Sequence, residues 1–234
     1  MQRGQATAKY KLNHLLREKV TCPALPNNVW FNLGLANIVE ADVRTQSYTS
    51  LKLNDLENKE LMFNNCFDVC PVGGDAIAVG GSNKVRFYDR RMLTPTPYKV
   101  IDLRPLSDMD LVVTKLKYHP SGRKILIAVS TGFQDFMSDM SETGVENMRS
   151  FEFRDVPGTV LRNPNFLGSE GRYVMFDTFS KDFVVVFDSR DFRCLGKFQA
   201  QPGSDTESCP QVIAIAQQDV VHFVTPTSST SQKV

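Results

Sequence analysis

The chain is poor in the residues on which most catalytic and metal chemistry is built. Only three histidines occur, His14, His119 and His222. Metal and acid–base sites lean on imidazole, so this scarcity argues against metalloenzymes and against Ser-His or Cys-His catalysis. There is a single tryptophan, Trp30. The five cysteines, Cys22, Cys66, Cys70, Cys194 and Cys209, are odd in number and irregular in spacing. A lone C-x-x-x-C pair at Cys66 and Cys70 is not a zinc framework, and free thiols fit a protein of the nucleus or cytoplasm. Net charge is only +1 over 234 residues, too weak a field to argue for nucleic acid or an anionic membrane. No apolar run approaches the roughly 18–20 residues that span a bilayer. The first residues, MQRGQATAKYKLNHLLREKV, lack the apolar segment of a secretory signal.

Catalytic signatures are equally thin. Gly80 and Gly81 precede Ser82, Asn83 and Lys84. A phosphate loop would need a Ser or Thr after that lysine and a helix to follow. Here an alternating strand follows instead. Neither G-x-G-x-x-G nor G-x-S-x-G is present. Asp135, Asp139 and Glu142 lack the glycine and closing glutamate of an EF-hand and read as a solvated loop. His119, before Pro120, reads as a turn residue. No nucleophile, base and oxyanion donors converge, so no enzyme, cofactor or metal site is expected.

What is abundant is short apolar runs broken by turn residues. Hydrophobic residues make up 41% and charged residues 23% of the chain, ordinary for a globular fold. Val, Ile, Phe and Tyr fall in runs of four to six, the signature of strands. A short helix is expected only over Tyr10–Lys19.

The runs repeat. VWFNLGLANIVEADVRT (29–45), AIAVGGSNKVRFYDRRM (76–92) and YVMFDTFSKDFVVVFDSRD (173–191) share one plan. Each is a strand, a turn, an alternating strand and then Asp-x-Arg. The pairs are Asp42/Arg44, Asp89/Arg91 and Asp188/Arg190. The first two aspartates stand about 47 residues apart, and the third lies about two such steps further on. VTKLKYHPSGRKILIAV (113–129) supplies a unit between them, with a tight turn at His-Pro-Ser-Gly but no closing Asp-x-Arg. Four-stranded units at this period read as an all-β propeller of about four to five blades. A partial blade precedes Thr45. Leu51–Arg91, Val100–Arg154 and Val160–Arg190 follow, with a degenerate piece over Gln211–Pro226. This gives an N-terminal extension over 1–19, a propeller over 20–226 with an inserted loop at about 133–150, and a disordered tail over 227–234.

V-x-x-L-x-Y-H-P-S-G-x-x-I-L (113–126), AVGGSNKVRFYDRRML (78–93) and KDFVVVFDSRDFRCLGKFQA (181–200) look like WD-repeat blades. AVGGSNKVRFYDRRML, with ADVRT one blade before it, is more specific. It resembles the WD-repeat substrate receptors of cullin-4 ubiquitin ligases. These are the factors that dock on damaged-DNA-binding protein 1. Within them it is most similar to the group of factor 6, factor 8 and the WD and tetratricopeptide repeats protein. The resemblance implies a place in a seven-bladed ring and a non-catalytic receptor that brings an unidentified protein substrate to the ligase. It implies an adaptor-docking box made of Asp42, Arg44, Asp89 and Arg91. Asp188/Arg190 has no neighbouring blade with the same box and is the weaker candidate. The position that carries tryptophan in the family is Ala41, Tyr88 or Phe187 here, and the Gly-His dipeptide of typical WD blades is absent. The alternatives are a WD-repeat scaffold or transcription co-regulator without a ligase role, or a diverged or truncated copy.

Overall fold

A computed structural model describes residues 18–33, 37–53, 66–92, 96–106, 110–129, 134–139, 149–152, 161–168, 170–178, 183–199, 213–217, 220–225 and 228–233. Among these residues the fold is all-β apart from one turn of 3-10 helix, Arg104–Leu106.

Five antiparallel meanders follow one another along the chain. The first holds β1 (Glu18–Cys22), β2 (Leu25–Asn32), β3 (Asn37–Asp42) and β4 (Ser47–Lys52). The second holds β5 (Cys66–Val69), β6 (Ala76–Gly80), β7 (Lys84–Asp89) and β8 (Lys99–Asp102). The third holds β9 (Val113–Tyr118), β10 (Lys124–Val129), β11 (Gln134–Asp139) and β12 (Arg149–Glu152). The fourth holds β13 (Leu161–Leu167), β14 (Tyr173–Thr178), β15 (Phe183–Asp188) and β16 (Cys194–Gln199). The fifth has three strands, β17 (Ile213–Gln217), β18 (Val220–Thr225) and β19 (Ser228–Lys233). Within each sheet the spatial order follows the chain order. The first strands β1, β5, β9 and β13 touch one another in series, and β13 also touches β17. The sheets are therefore blades whose first strands gather toward a common axis.

Alternation along the middle strands explains why the sequence shows continuous apolar runs there. In β6, Ile77 and Val79 pack toward the first blade with Trp30, Ile38, Phe67 and Tyr88. Ala78, between them, packs the other way with Phe87, Leu116, Ile125 and Ile127. In β14 and β15, Val174, Phe176, Val185 and Phe187 join Leu126 of the third blade, while Tyr173, Met175, Val184 and Val186 line the opposite face. A strand buried on both faces has no polar side to show, so the runs AIAVG, KILIAV and FVVVFD lose the polar alternation of a half-buried strand. Each fully buried Val, Leu or Phe contributes roughly 1.5–3 kcal/mol. The residues that precede the three aspartates, Ala41, Tyr88 and Phe187, all lie in this buried layer.

Gly80 is required by the stacking. A Cβ there would meet Val113 Cγ1 at 2.5 Å and Cys66 Sγ at 2.8 Å. The turn that follows is tied down, not open to an anion. Gly81 N donates to Lys84 O, and Asn83 N to Leu111 O at 2.7 Å. Asn83 sits at φ 55°, and its side chain accepts from Leu111 N at 2.6 Å and donates to Asp110 at 2.7 Å. Two of the amides that a phosphate loop would turn outward, those of Gly81 and Asn83, are already used.

Several sequence expectations are corrected here. The units that end at the Asp-x-Arg pairs of residues 42, 89 and 188 stop one strand short of their sheets. Asp-x-Arg closes the third strand of a blade, and a fourth strand follows it. The first blade is a complete four-stranded sheet beginning at Glu18, not a partial piece beginning at residue 20. The expected loop at about 133–150 contains β11 and β12, paired from Gln134↔Glu152 to Met137↔Arg149. The expected disordered tail contains β19, paired with β18. The sequences of these strands hold no unbroken apolar run, and a strand that faces water needs none. β4 shows this directly, since Ser47, Tyr48, Thr49 and Ser50 are all exposed. The helix expected over Tyr10–Lys19 lies outside the described residues, apart from Glu18 and Lys19, which begin β1.

Candidate functional site

The three Asp-x-Arg stretches build one corner three times. Asp42, Asp89 and Asp188 are the last residues of β3, β7 and β15. The next amide closes onto the turn before the second strand or onto its start. Val43 N donates to Asn27 O at 2.8 Å, Arg90 N to Asp75 O at 2.7 Å and Ser189 N to Arg172 O at 2.8 Å. The amide after that donates to the carboxylate: Arg44 N to Asp42 Oδ1 at 2.8 Å, Arg91 N to Asp89 at 2.9 Å and Arg190 N to Asp188 at 2.9 Å. This is the short-range side-chain-to-backbone bond that aspartate favours at turns.

The family resemblance implies that Arg44 and Arg91 reach toward a partner, with Arg190 the weaker candidate. In the structure two forks close first on their own aspartate. Arg91 donates to Asp89 through Nε at 3.1 Å and Nη2 at 2.8 Å. Arg190 does the same to Asp188 at 3.0 and 2.7 Å. Arg44 is looser, with Nη2 at 3.9 Å from Asp42 Oδ2. Its carboxylate instead takes a second amide, from Thr45 at 3.2 Å. The arginine side chains stay 73%, 63% and 71% exposed at 44, 91 and 190, and Arg91 Nη1 also lies 3.5 Å from Asp75 Oδ2. The Arg91 side-chain and backbone hydrogen bonds hold the Asp89 carboxyl down to about 2. The Arg190 guanidinium holds Asp188 down to about 2 as well. Asp42 is also lowered, chiefly by the amides of Arg44 and Thr45.

The first two corners are linked. Arg90, between Asp89 and Arg91, reaches across the blade boundary to Glu40 Oε1 at 3.1 Å. Glu40 lies two residues before Asp42 and also accepts from Asn28 Nδ2 at 2.5 Å. Neither Glu40 nor Arg90 is conspicuous in the sequence.

A fourth corner was missed, although its signal, Asp102-Leu103-Arg104, is plain in the sequence. Arg104 donates to Asp102 through its amide at 3.1 Å and through Nε at 2.9 Å. Asp102 ends a fourth strand, however. In an antiparallel meander the first-to-second and third-to-fourth turns share one end of the blade, and the fourth strand ends at the other. Arg104 therefore lies on the face opposite Arg44, Arg91 and Arg190.

The Asp-x-Arg face also carries the mouth of the axis. There a cavity of about 460 Å³ opens among the ends of β1, β5, β9 and β13. Asp68 lies beneath it, accepting from Tyr118 N at 2.7 Å, with Lys117 Nζ at 3.6 Å. Burial pushes its carboxyl up, opposed by Lys117 and by the amides of Tyr118 and Val69. Deeper along the axis Glu18 accepts from Phe67 N at 3.0 Å and is paired with Lys115, joining three blades. His119 is not free in solvent. Its ring meets Phe166 edge-on at 5.0 Å, and Nδ1 accepts from Ser121 N at 3.1 Å. Among the described residues no group of three His, Cys, Asp or Glu could hold a metal, and no helix is long and apolar enough to cross a membrane. Glu142, His14 and Cys209 lie outside the described residues.

No protein-family model matches the chain, and no curated protein matches its sequence. Solved structures match its fold. The β-propeller domain of Cps50 (Swd1) from Myceliophteria thermophila superposes with a TM-score of 0.61 at 13% identity, over 91% of this chain and 65% of that one. Hydrazine synthase from Kuenenia stuttgartiensis superposes with a TM-score of 0.62 at 15% identity, over 90% of this chain and 55% of that one. The chain thus spans less than two thirds of either. The fold is a β-propeller. One neighbour is an enzyme by name, so the fold alone does not decide between catalysis and binding.

Proposed function

We propose that this chain is a non-catalytic protein-interaction module. In this reading it is a substrate receptor that docks on damaged-DNA-binding protein 1 in a cullin-4 ubiquitin ligase, in the nucleus or cytoplasm, and presents an unidentified protein for ubiquitination. The observation that carries the reading is the pair of Asp-x-Arg corners on adjacent blades, locked to each other through Glu40 and Arg90. Two guanidiniums are thereby held on one face, on side chains that stay largely exposed. Such planar forks suit carboxylates and carbonyls on a partner. Exposed Val72 and Met92 stand in turns on the same face, and Met and Arg are both enriched at protein interfaces.

The test is capture of the purified adaptor by this chain. The variant carrying Arg44→Ala and Arg91→Ala should lose binding by about tenfold or more per arginine. Unchanged binding, with unchanged melting, overturns the docking assignment. A second reading rests on the closure of the Arg91 fork on Asp89. Here the corners are braces and the propeller is a scaffold for another partner, such as a transcription regulator. Stable recovery of a different protein without any cullin-4 component would favour it.

A further inference from the structure

The cavity at the axis mouth has a chemistry of its own. Its upper wall comes from the residues that follow successive first strands: Pro23 after β1, Pro71 after β5 and Pro120 after β9, with Phe166 from β13. Proline has no amide hydrogen to offer, so this wall is apolar and poor in donors. The volume lies in the range that encloses a ligand group.

Two charged groups lie at its base, and they are not equally available. The Asp68 side chain is only 5% exposed and is occupied by the amides of Tyr118 and Val69. The Lys117 side chain is 32% exposed, and its Nζ is 3.6 Å from Asp68 Oδ1. That separation is too long for a hydrogen bond. It holds the ammonium by charge while leaving its donors unused among the described residues. A cation entering the cavity would meet Lys117 before Asp68 and be repelled. An anion would meet three donors of a positive group in an apolar, partly water-excluded setting, where a charge-assisted bond is strongest.

We infer that this cavity binds a carboxylate side chain flanked by apolar residues, presented by a peptide segment of a protein partner. The carboxylate bonds to Lys117 Nζ while its apolar neighbours pack on the prolines and Phe166. A peptide fits better than a free metabolite because the mouth opens on the face that carries Arg44, Arg91, Val72 and Met92, where a protein surface has contacts beyond the cavity. The inference does not depend on the identity of the adaptor.

The experiment uses the whole chain without any adaptor. Three peptides are titrated: acetyl-Phe-Glu-Phe-amide, its Gln counterpart and its Lys counterpart, with 3-phenylpropionate as a non-peptide arm. Binding is read from the amide resonances of Thr21, Lys117 and Gly168. The expected result is that the Glu peptide binds about tenfold more tightly than the Gln peptide, since a charge-assisted bond contributes about that factor. Lys117→Met should erase the difference and Lys117→Arg should restore it. Melting curves confirm that both variants fold. The wild-type comparison of Glu with Gln stands even if a variant does not. Equal binding of the two, or preference for the Lys peptide, overturns the inference. So does persistence of the Glu preference in folded Lys117→Met. Binding of 3-phenylpropionate as tight as that of the Glu peptide overturns the peptide assignment and leaves a small-carboxylate site.

Discussion

Arg90 Nη1 lies 3.1 Å from Glu40 Oε1, and this pair fixes how the first blade meets the second at the face where Arg44 and Arg91 emerge. Both side chains are largely covered, at 25% and 15% exposure. They line a small pocket between the blades, next to Trp30 and Ile77. A pair in this setting is strained when one partner is lost, because the other remains covered without a counter-charge.

Glu40→Ala and Arg90→Ala should therefore each destabilise the chain by about 2 kcal/mol, and the double variant by less than their sum. A coupling of about 1 kcal/mol or more is expected for groups in contact. Urea unfolding of the four proteins measures it. Strict additivity would mean that the two side chains do not hold the blades together. Damage to adaptor binding by Glu40→Ala alone, with Arg44 and Arg91 intact, would show that the spacing of the corners matters.

The acid limb of stability should come from the corners. Asp89 and Asp188 are both held down to about 2, against an ordinary aspartate value near 3.9. The folded state then binds fewer protons than the unfolded state across that interval. Their contribution is full above about pH 4 and is lost as pH falls toward about 2. Asp188 is the most covered of the three corner carboxylates. Asp188→Asn should visibly flatten the fall in melting temperature between about pH 4 and about pH 2. A limb of unchanged slope in that variant would show that the corner does not set it.

The class of fold was legible because the middle strands are buried on both faces, which turns β6, β10 and β15 into unbroken apolar runs. Outer strands carry no such mark. The exposed residues of β4 read as polar chain, and the polar sequences of β11, β12 and β19 hid those strands in the same way. The corners were legible as Asp-x-Arg, but Asp102/Arg104 follows Asp89/Arg91 too closely to fit the repeat. The Glu40–Arg90 pair joins positions 50 residues apart, and nothing local announces it. The cavity was illegible for a related reason. Pro23, Pro71 and Pro120 look like ordinary turn residues until the first strands gather at the axis.

Gly80 offers a test of blade stacking at a single atom. Gly80→Ala places a methyl against Val113 Cγ1 and Cys66 Sγ and should cost about 1–3 kcal/mol, the usual penalty of overpacking. Val113→Ala removes Cγ1, the atom nearest the new methyl, and leaves the contacts with Cys66 Sγ and with the Cβ of residue 113. Adding it to Gly80→Ala should therefore destabilise less than the sum of the two single changes. Equal sums would place the strain elsewhere, in the backbone of the turn and not between β6 and β9.

The last prediction uses the molecule's own internal control. Arg91 and Arg104 are chemically alike: each donates its amide and its Nε to the aspartate two residues before it. They are also similarly exposed, at 63% and 64%. They differ in face, since Asp89 closes a third strand and Asp102 a fourth, and Arg91 has a further, exposed contact with Asp75 at 3.5 Å. If the Asp-x-Arg motif acts only as a brace, Arg91→Ala and Arg104→Ala should have matching small effects on melting and none on adaptor capture. If the face matters, Arg91→Ala should weaken capture and Arg104→Ala should leave it unchanged, with the two melting curves still alike. Equal loss of capture in both variants would contradict docking through one face, because no single flat partner can reach both ends of a blade. Melting temperature and capture, measured on the same two proteins, thus separate the structural role of the motif from the recognition role.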